Sequence, residues 1–262
     1  MSRLNLIPSL LCTLVGVLVL SSLWVMLETV AIQSSQTLVI YGVGTYMCVA
    51  SYFMGHYMLC KYSSSYDNIE DEGRQFYTLS NAIKSALLFL YTPFAIHTLY
   101  NIIVANHWDT PRIRNMAVLY AIPDLAALCV VRRMATSTIV HHVVVNIFAV
   151  YIVFHTFSSS LSVCNGMVVY AIFSVFSYLV NALLASRFVA NASKERMRQS
   201  YQMAMWIYVL CCGINWTWQC WFVVRTFPSH SLHIIGYVLL VSLLIRDDVI
   251  LIRWLIHKSR KP

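Results

Sequence analysis

Apolar residues along this chain gather in long unbroken runs, separated by short clusters of charge. A helix crossing the hydrocarbon core of a bilayer needs about 20 predominantly apolar residues. The runs at or near that length are Ile7–Ile32, Leu38–Leu59, Phe76–Val104, Met116–Val131, Thr138–Phe157, Leu161–Ser186, Tyr201–Phe227 and Leu232–Ile256. They are continuous rather than alternating in polarity, and only helices and closed barrels satisfy the backbone in lipid. The pattern therefore predicts an all-α integral membrane protein, a bundle of about eight transmembrane helices. The fourth run is short and contains Pro123, so a broken or tilted span is expected there. The first run follows a weakly basic start and lacks a small-residue cleavage site, which predicts a retained anchor. The expected organisation is an N-terminal transmembrane anchor at 1–37, a transmembrane domain at 38–256 and a basic tail at 257–262.

Composition agrees with the pattern. The 262 residues are 59% hydrophobic and 11% charged, with a mean hydropathy of +0.68; a soluble domain carries about 25% charged residues. The net charge of +8 does not indicate a nucleic-acid partner, because the cations flank apolar runs instead of clustering on a soluble module. They report topology. With eight spans and a cytoplasmic start, Arg3, Lys61, Arg74, Arg132, Arg133, Arg187 and Lys194 fall inside, with Arg196, Arg198 and the C-terminal cations. Only Arg112, Arg114 and Arg225 fall outside. Cytoplasmic loops carry the excess of Lys and Arg, so both termini are expected in the cytoplasm. The eight cysteines lie almost entirely within apolar runs and show no CxxC spacing, which reads as small buried hydrophobes.

Polar residues inside the runs are where chemistry is to be sought, since ionisable groups at bilayer depth are costly. His141 and His142 open the fifth run, and Asp124 sits one run earlier. Histidine can act as a general base or as a transient acyl carrier, and a neighbouring carboxylate would fix its tautomer. His141, His142 and Asp124 are therefore the catalytic candidates, with hydrogen-bonded packing as the alternative. Helical spacing places His142 and Asn146 on one stripe, and Ser174, Ser177 and Asn181 on one face of the sixth run. Trp218 and Arg225 share a face of the seventh. The eighth carries Arg246-Asp247-Asp248, where Arg246 is expected to neutralise one carboxylate and the other to meet Lys84, Arg225 or the histidines. Asn146, Ser174, Ser177, Asn181, Trp218, Arg225, Asp247 and Asp248 form the candidate cavity lining. Lys84, Asn81 and His56 read individually as helix-to-helix contacts. No metal site is expected, because adjacent histidines on a helix point in different directions. The retinal-protein alternative is weakened by the absence of a lysine in the last span.

An Asp in a short span, then a basic loop, then a His-His pair opening the next span, resembles the TLC domain of ceramide synthases and their lipid-handling relatives. The matching residues are Ile122-Pro123-Asp124-Leu125 and Val140-His141-His142, with Ser177-Tyr178-Leu179-Val180-Asn181, Arg225, and Asp248 followed six residues later by Trp254. The likeness covers about Leu38–Ile256 and is greater to the members that are not ceramide synthases. Leu161–Ser186 lacks the acidic residues that ceramide synthases carry there, and the glutamate some members place near Ser174 is absent. The resemblance implies a six- or seven-helix core, preceded here by an extra N-terminal helix, around a cavity for an acyl chain.

Three functions stay open on this reading. One is a protein that binds a lipid acyl chain and takes part in membrane lipid metabolism or homeostasis. Another is an acyl-CoA-dependent lipid N-acyltransferase, needing no cofactor and taking acyl-CoA as substrate. The third is a structural subunit of a larger membrane complex. The expected partners are membrane lipids and a homo- or hetero-oligomer within the membrane, without nucleic acid. The expected location is the endoplasmic reticulum, with another organelle membrane left open.

Overall fold

The computed structural model describes residues 34–158, 162–190 and 192–260, and among them every regular element is a helix, with no strand. The elements are α1 (Ser34–Tyr62), a short α2 (Ser64–Asp67), α3 (Glu72–Ile103), α4 (Thr110–Val130) and α5 (Thr136–Phe154). They continue with α6 (Val163–Ser174), a 3-10 turn (Val175–Ser177), α7 (Tyr178–Ser186) and α8 (Lys194–Arg260). Six helical segments are long and apolar enough to cross a membrane: Thr37–Tyr62, Glu72–Ile103, Thr110–Val130, Thr136–Phe154, Val163–Ser186 and Lys194–Pro228. They mark an integral membrane protein. The anchor expected at 1–37 falls almost wholly outside the described residues.

The fourth span is neither short nor broken. Asp109 accepts from the backbone N–H of Arg112 at 3.2 Å, and Pro111 occupies the first turn. This cap and proline start the helix before the apolar run does, and it continues through Pro123 to Val130. It is also the most enclosed span, with 72% of its apolar stretch buried. Small residues Ala117, Ala121, Ala126 and Ala127 are all buried along it and let α1, α3 and α5 approach closely. That packing supports the backbone where Pro123 removes a hydrogen bond.

The sixth run is divided. A 3-10 turn at Val175–Ser177 separates α6 from α7, and local side chains hold it. The Ser174 hydroxyl donates to the Tyr170 carbonyl at 3.0 Å, and that of Ser177 to the Ser174 carbonyl at 2.7 Å. Back-bonding of this kind bends helices. Ser85 of α3 donates to the Tyr178 carbonyl at 2.8 Å, satisfying a backbone acceptor beside the turn.

Helix α8 has 67 residues with Pro228 inside. Extended, it would span about 100 Å. Instead Tyr208 hydrogen-bonds Asp248 at 2.6 Å, the Phe222 and Tyr237 rings lie 5.9 Å apart, and Ser259 reaches Met205 Sδ at 3.7 Å. The chain therefore reverses around Pro228, and the two arms correspond to the seventh and eighth apolar runs. Gly166 of α6 lets the hairpin come close. A Cβ there would lie 2.6 Å from Phe222 Cε1 and 2.7 Å from the Tyr237 hydroxyl. Gln219 ties the three pieces together, accepting from Tyr237 at 2.6 Å and donating to the Gly166 carbonyl at 3.2 Å.

Candidate functional site

Helices α3, α4, α5, α6, α7 and both arms of α8 line a cavity of about 280 Å³. Its wall includes His141, His142, Ser174, Ser177, Asn181, Asp247 and Asp248. It also includes Lys84, Asn81, Tyr77 and Tyr120, and it runs to Met134, Ala135 and Arg187 at the ends of the helices. The broken sixth run belongs to this wall, as expected for irregular backbone at membrane depth, which is tolerated where it is buried in protein or lines a cavity.

Asp124 is fully buried and lies behind the wall instead of on it. Its Oδ1 forms an ion pair with Lys84 and lies 3.1 Å from His142 Nδ1. The His142 contact is close without the alignment of a hydrogen bond, and Asp124 Oδ2 has no hydrogen-bond partner. One carboxylate from α4 thus holds two basic groups, one from α3 and one from α5, against the cavity. The Lys84 ammonium also lies 5.5 Å from the centre of the Tyr120 ring, a cation–π contact. With Nδ1 of His142 turned to Asp124, the other ring nitrogen is the one left for cavity contents.

The neighbouring histidine has a different partner. His141 Nδ1 lies 3.4 Å from Asp247 Oδ2 on the second arm of α8, and Thr138 donates to Asp247 Oδ1 at 3.4 Å. The two imidazoles stand edge to face, 5.8 Å apart at 88°, so adjacent residues on one helix serve two carboxylates. Asp248 is 6% exposed and accepts from Tyr170 at 2.5 Å and from Tyr208 at 2.6 Å. Arg246 is exposed and makes no ion pair with either aspartate among the described residues. The expectation that it neutralises one of them fails, because consecutive residues on a helix diverge by about 100°.

Three candidate lining residues lie elsewhere. Asn146 bonds the Tyr41 hydroxyl of α1 and donates to the His142 carbonyl at 2.6 Å, so it braces α5 against α1 and is not part of the wall. Trp218 stacks on Phe222 with ring centres 5.3 Å apart, and its place is in the hairpin packing. Arg225 is exposed near the reversal, far along the arm from the cavity-lining Tyr208 to Asn215. Lys84, read from the sequence as a helix-to-helix contact, joins the wall and pairs with Asp124. Its signal was available as a lone cation in the interior of an apolar span. Among the described residues no group of three metal-ligating side chains is assembled.

The arrangement can do two kinds of chemistry. It can hold a polar headgroup within a bundle whose outer face is apolar, and it can move a proton through a carboxylate-oriented imidazole. No family model, curated protein or solved structure matches this chain.

Proposed function

We propose that the protein is a TLC-type lipid-handling membrane protein, in which the cavity takes the polar end and first carbons of a membrane amphiphile. The observation that carries this reading is the convergence of His141, His142, Lys84, Asp247 and Asp248 on one cavity inside an apolar bundle. Groups this costly to bury are kept in membrane helices for substrates, ions or protons. Eight spans with both termini in the cytoplasm complete the topology. The cavity mouth then faces the cytoplasmic leaflet, in the endoplasmic reticulum or another organelle membrane.

The test is to purify the protein in detergent and identify retained lipid by mass spectrometry. Wild type should hold one lipid class above the level of bulk carry-over. Ser177→Trp, which fills the cavity, should lose it. Equal recovery from both would end the lipid reading.

Acyl transfer is the second reading, favoured by the Asp124–His142 arrangement. His142 would take the proton from an acceptor amine or hydroxyl as it attacks the acyl-CoA thioester. The acceptor–acyl bond forms, the carbon–sulfur bond breaks, and CoA leaves as the thiol after reprotonation. Asp124 would orient the imidazole. Labelled acyl-CoA should give a labelled lipid with wild type and none with His142→Ala. Unchanged labelling would exclude this mechanism.

A further inference from the structure

Arg187 caps α7 where the cavity reaches the helix ends, and its side chain lines the wall. Three rings surround its guanidinium: Phe188 at 4.5 Å, Trp254 at 5.1 Å and Tyr77 at 5.4 Å from ring centre to Cζ. Rings satisfy the face of a guanidinium electrostatically, but its five N–H donors lie in the plane and need acceptors. None is bonded among the described residues, and Nε is buried without a partner. Two of the cations nearby are committed, Lys84 to Asp124 and Arg133 to Asp71. Arg187 therefore presents a half-buried fork at the cavity mouth, held among three rings, with no carboxylate paired to it among the described residues. Planar forks of this kind match phosphate and carboxylate oxygens in a bidentate fashion.

We propose that Arg187 is the receptor for an oxyanion, the phosphate or carboxylate of an amphiphile whose remainder enters the cavity. This rests on the lipid reading above and names the headgroup class. An oxyanion here closes the open donors of Arg187 while the interior polar groups remain available to the rest of the molecule. Arg132, exposed in the linker to α5 at the same end, raises the local concentration of anions.

The experiment compares wild type, Arg187→Gln and Arg187→Lys in phosphatidylcholine nanodiscs doped with dioleoyl phosphatidate or dioleoylglycerol, reading bound lipid by native mass spectrometry. Wild type should prefer phosphatidate. Arg187→Gln should lose that preference at least tenfold while still retaining dioleoylglycerol, and Arg187→Lys should recover part of it. An unchanged preference in Arg187→Gln overturns the proposal. A second readout needs no variant: phenylglyoxal labelling of Arg187 in the wild type, with phosphatidate or inorganic phosphate as protectant. Protection by phosphate, with neither lipid retained, would keep the oxyanion site and sink the lipid reading. Labelling that neither anion slows would overturn the oxyanion site itself.

Discussion

Lys84 of α3 and Asp124 of α4 form an ion pair within the bundle, and the carboxylate has no exposed surface at all. Asp124 also faces His142, so a single buried anion sets the positions of two basic groups on the cavity wall. Desolvating such a pair costs several kcal/mol per ion, which the mutual attraction only roughly offsets. The pair therefore adds little net stability, yet either charge left alone is expensive.

Asp124→Asn should accordingly lower stability by about 3–5 kcal/mol, the range for stranding one charge of a buried pair. The double variant Lys84→Met/Asp124→Leu should recover most of that loss, since it removes both charges and leaves apolar volume. Denaturant unfolding in a fixed detergent would measure both. A double variant no more stable than Asp124→Asn would contradict this account of the pair.

Most of the spans could be read from the sequence because apolar run length alone dictates them. The departures have local causes. The fourth span starts earlier than its apolar run because Asp109 and Pro111 begin a helix among polar residues. The turn at Val175–Ser177 escapes notice because serine, valine and phenylalanine all tolerate helix, and only tertiary contacts such as Ser85 to the Tyr178 carbonyl favour the break. In the site, Asp124 and His142 were legible as a pair since adjacent spans and helical register nearly bring them together. Asn146, Trp218 and Arg225 were not, because periodicity shows which residues share a face but not which neighbour that face meets. Lys84 stood out as a lone cation in an apolar span, but its partner Asp124 depends on the pairing of α3 with α4, which no local pattern encodes.

Gly166→Ala tests the hairpin. The added Cβ would stand 2.6 Å from Phe222 and 2.7 Å from Tyr237, one on each arm of α8. Both rings are buried and cannot swing away freely. Overpacking of this kind costs about 1–3 kcal/mol, and Phe222→Leu should restore part of it by withdrawing one contact. Gly166→Ala with undiminished thermal stability would mean that α6 and the hairpin are not in this contact.

His155 follows the end of α5, outside the membrane-spanning helix. Burial, and then the Arg114 guanidinium nearby, hold its imidazole below the ordinary histidine value. The unfolded chain therefore binds this proton more readily than the folded one, and stability rises with pH in that interval. The penalty is absent well above the ordinary value of about 6.5 and grows as pH falls through it. Wild type should lose somewhat more stability than His155→Gln between pH 7.5 and 5.5, by a small margin because the group is partly solvated. Thermal unfolding at the two pH values measures the difference, and equal losses would remove His155 as a contributor.

Asp248 offers a direct measure of what a carboxylate is worth in this cavity wall. It accepts one hydroxyl from Tyr170 of α6 and one from Tyr208 on the first arm of α8, while belonging itself to the second arm. Hydrogen bonds to a charged group contribute about 1.5–3 kcal/mol each, and here they also fix three helical segments around one point. Tyr170→Phe and Tyr208→Phe should each cost an amount in that range, because each leaves a buried anion short of a donor. In an Asp248→Leu background the same changes should cost much less, since the anion that needed the hydroxyls is gone. A double-mutant cycle on unfolding free energies isolates the difference. Coupling of at least about 1 kcal/mol for both tyrosines is expected, within the range for residues in contact. Coupling near zero would mean that the tyrosines support the cavity by packing alone and that Asp248 is free to meet a ligand.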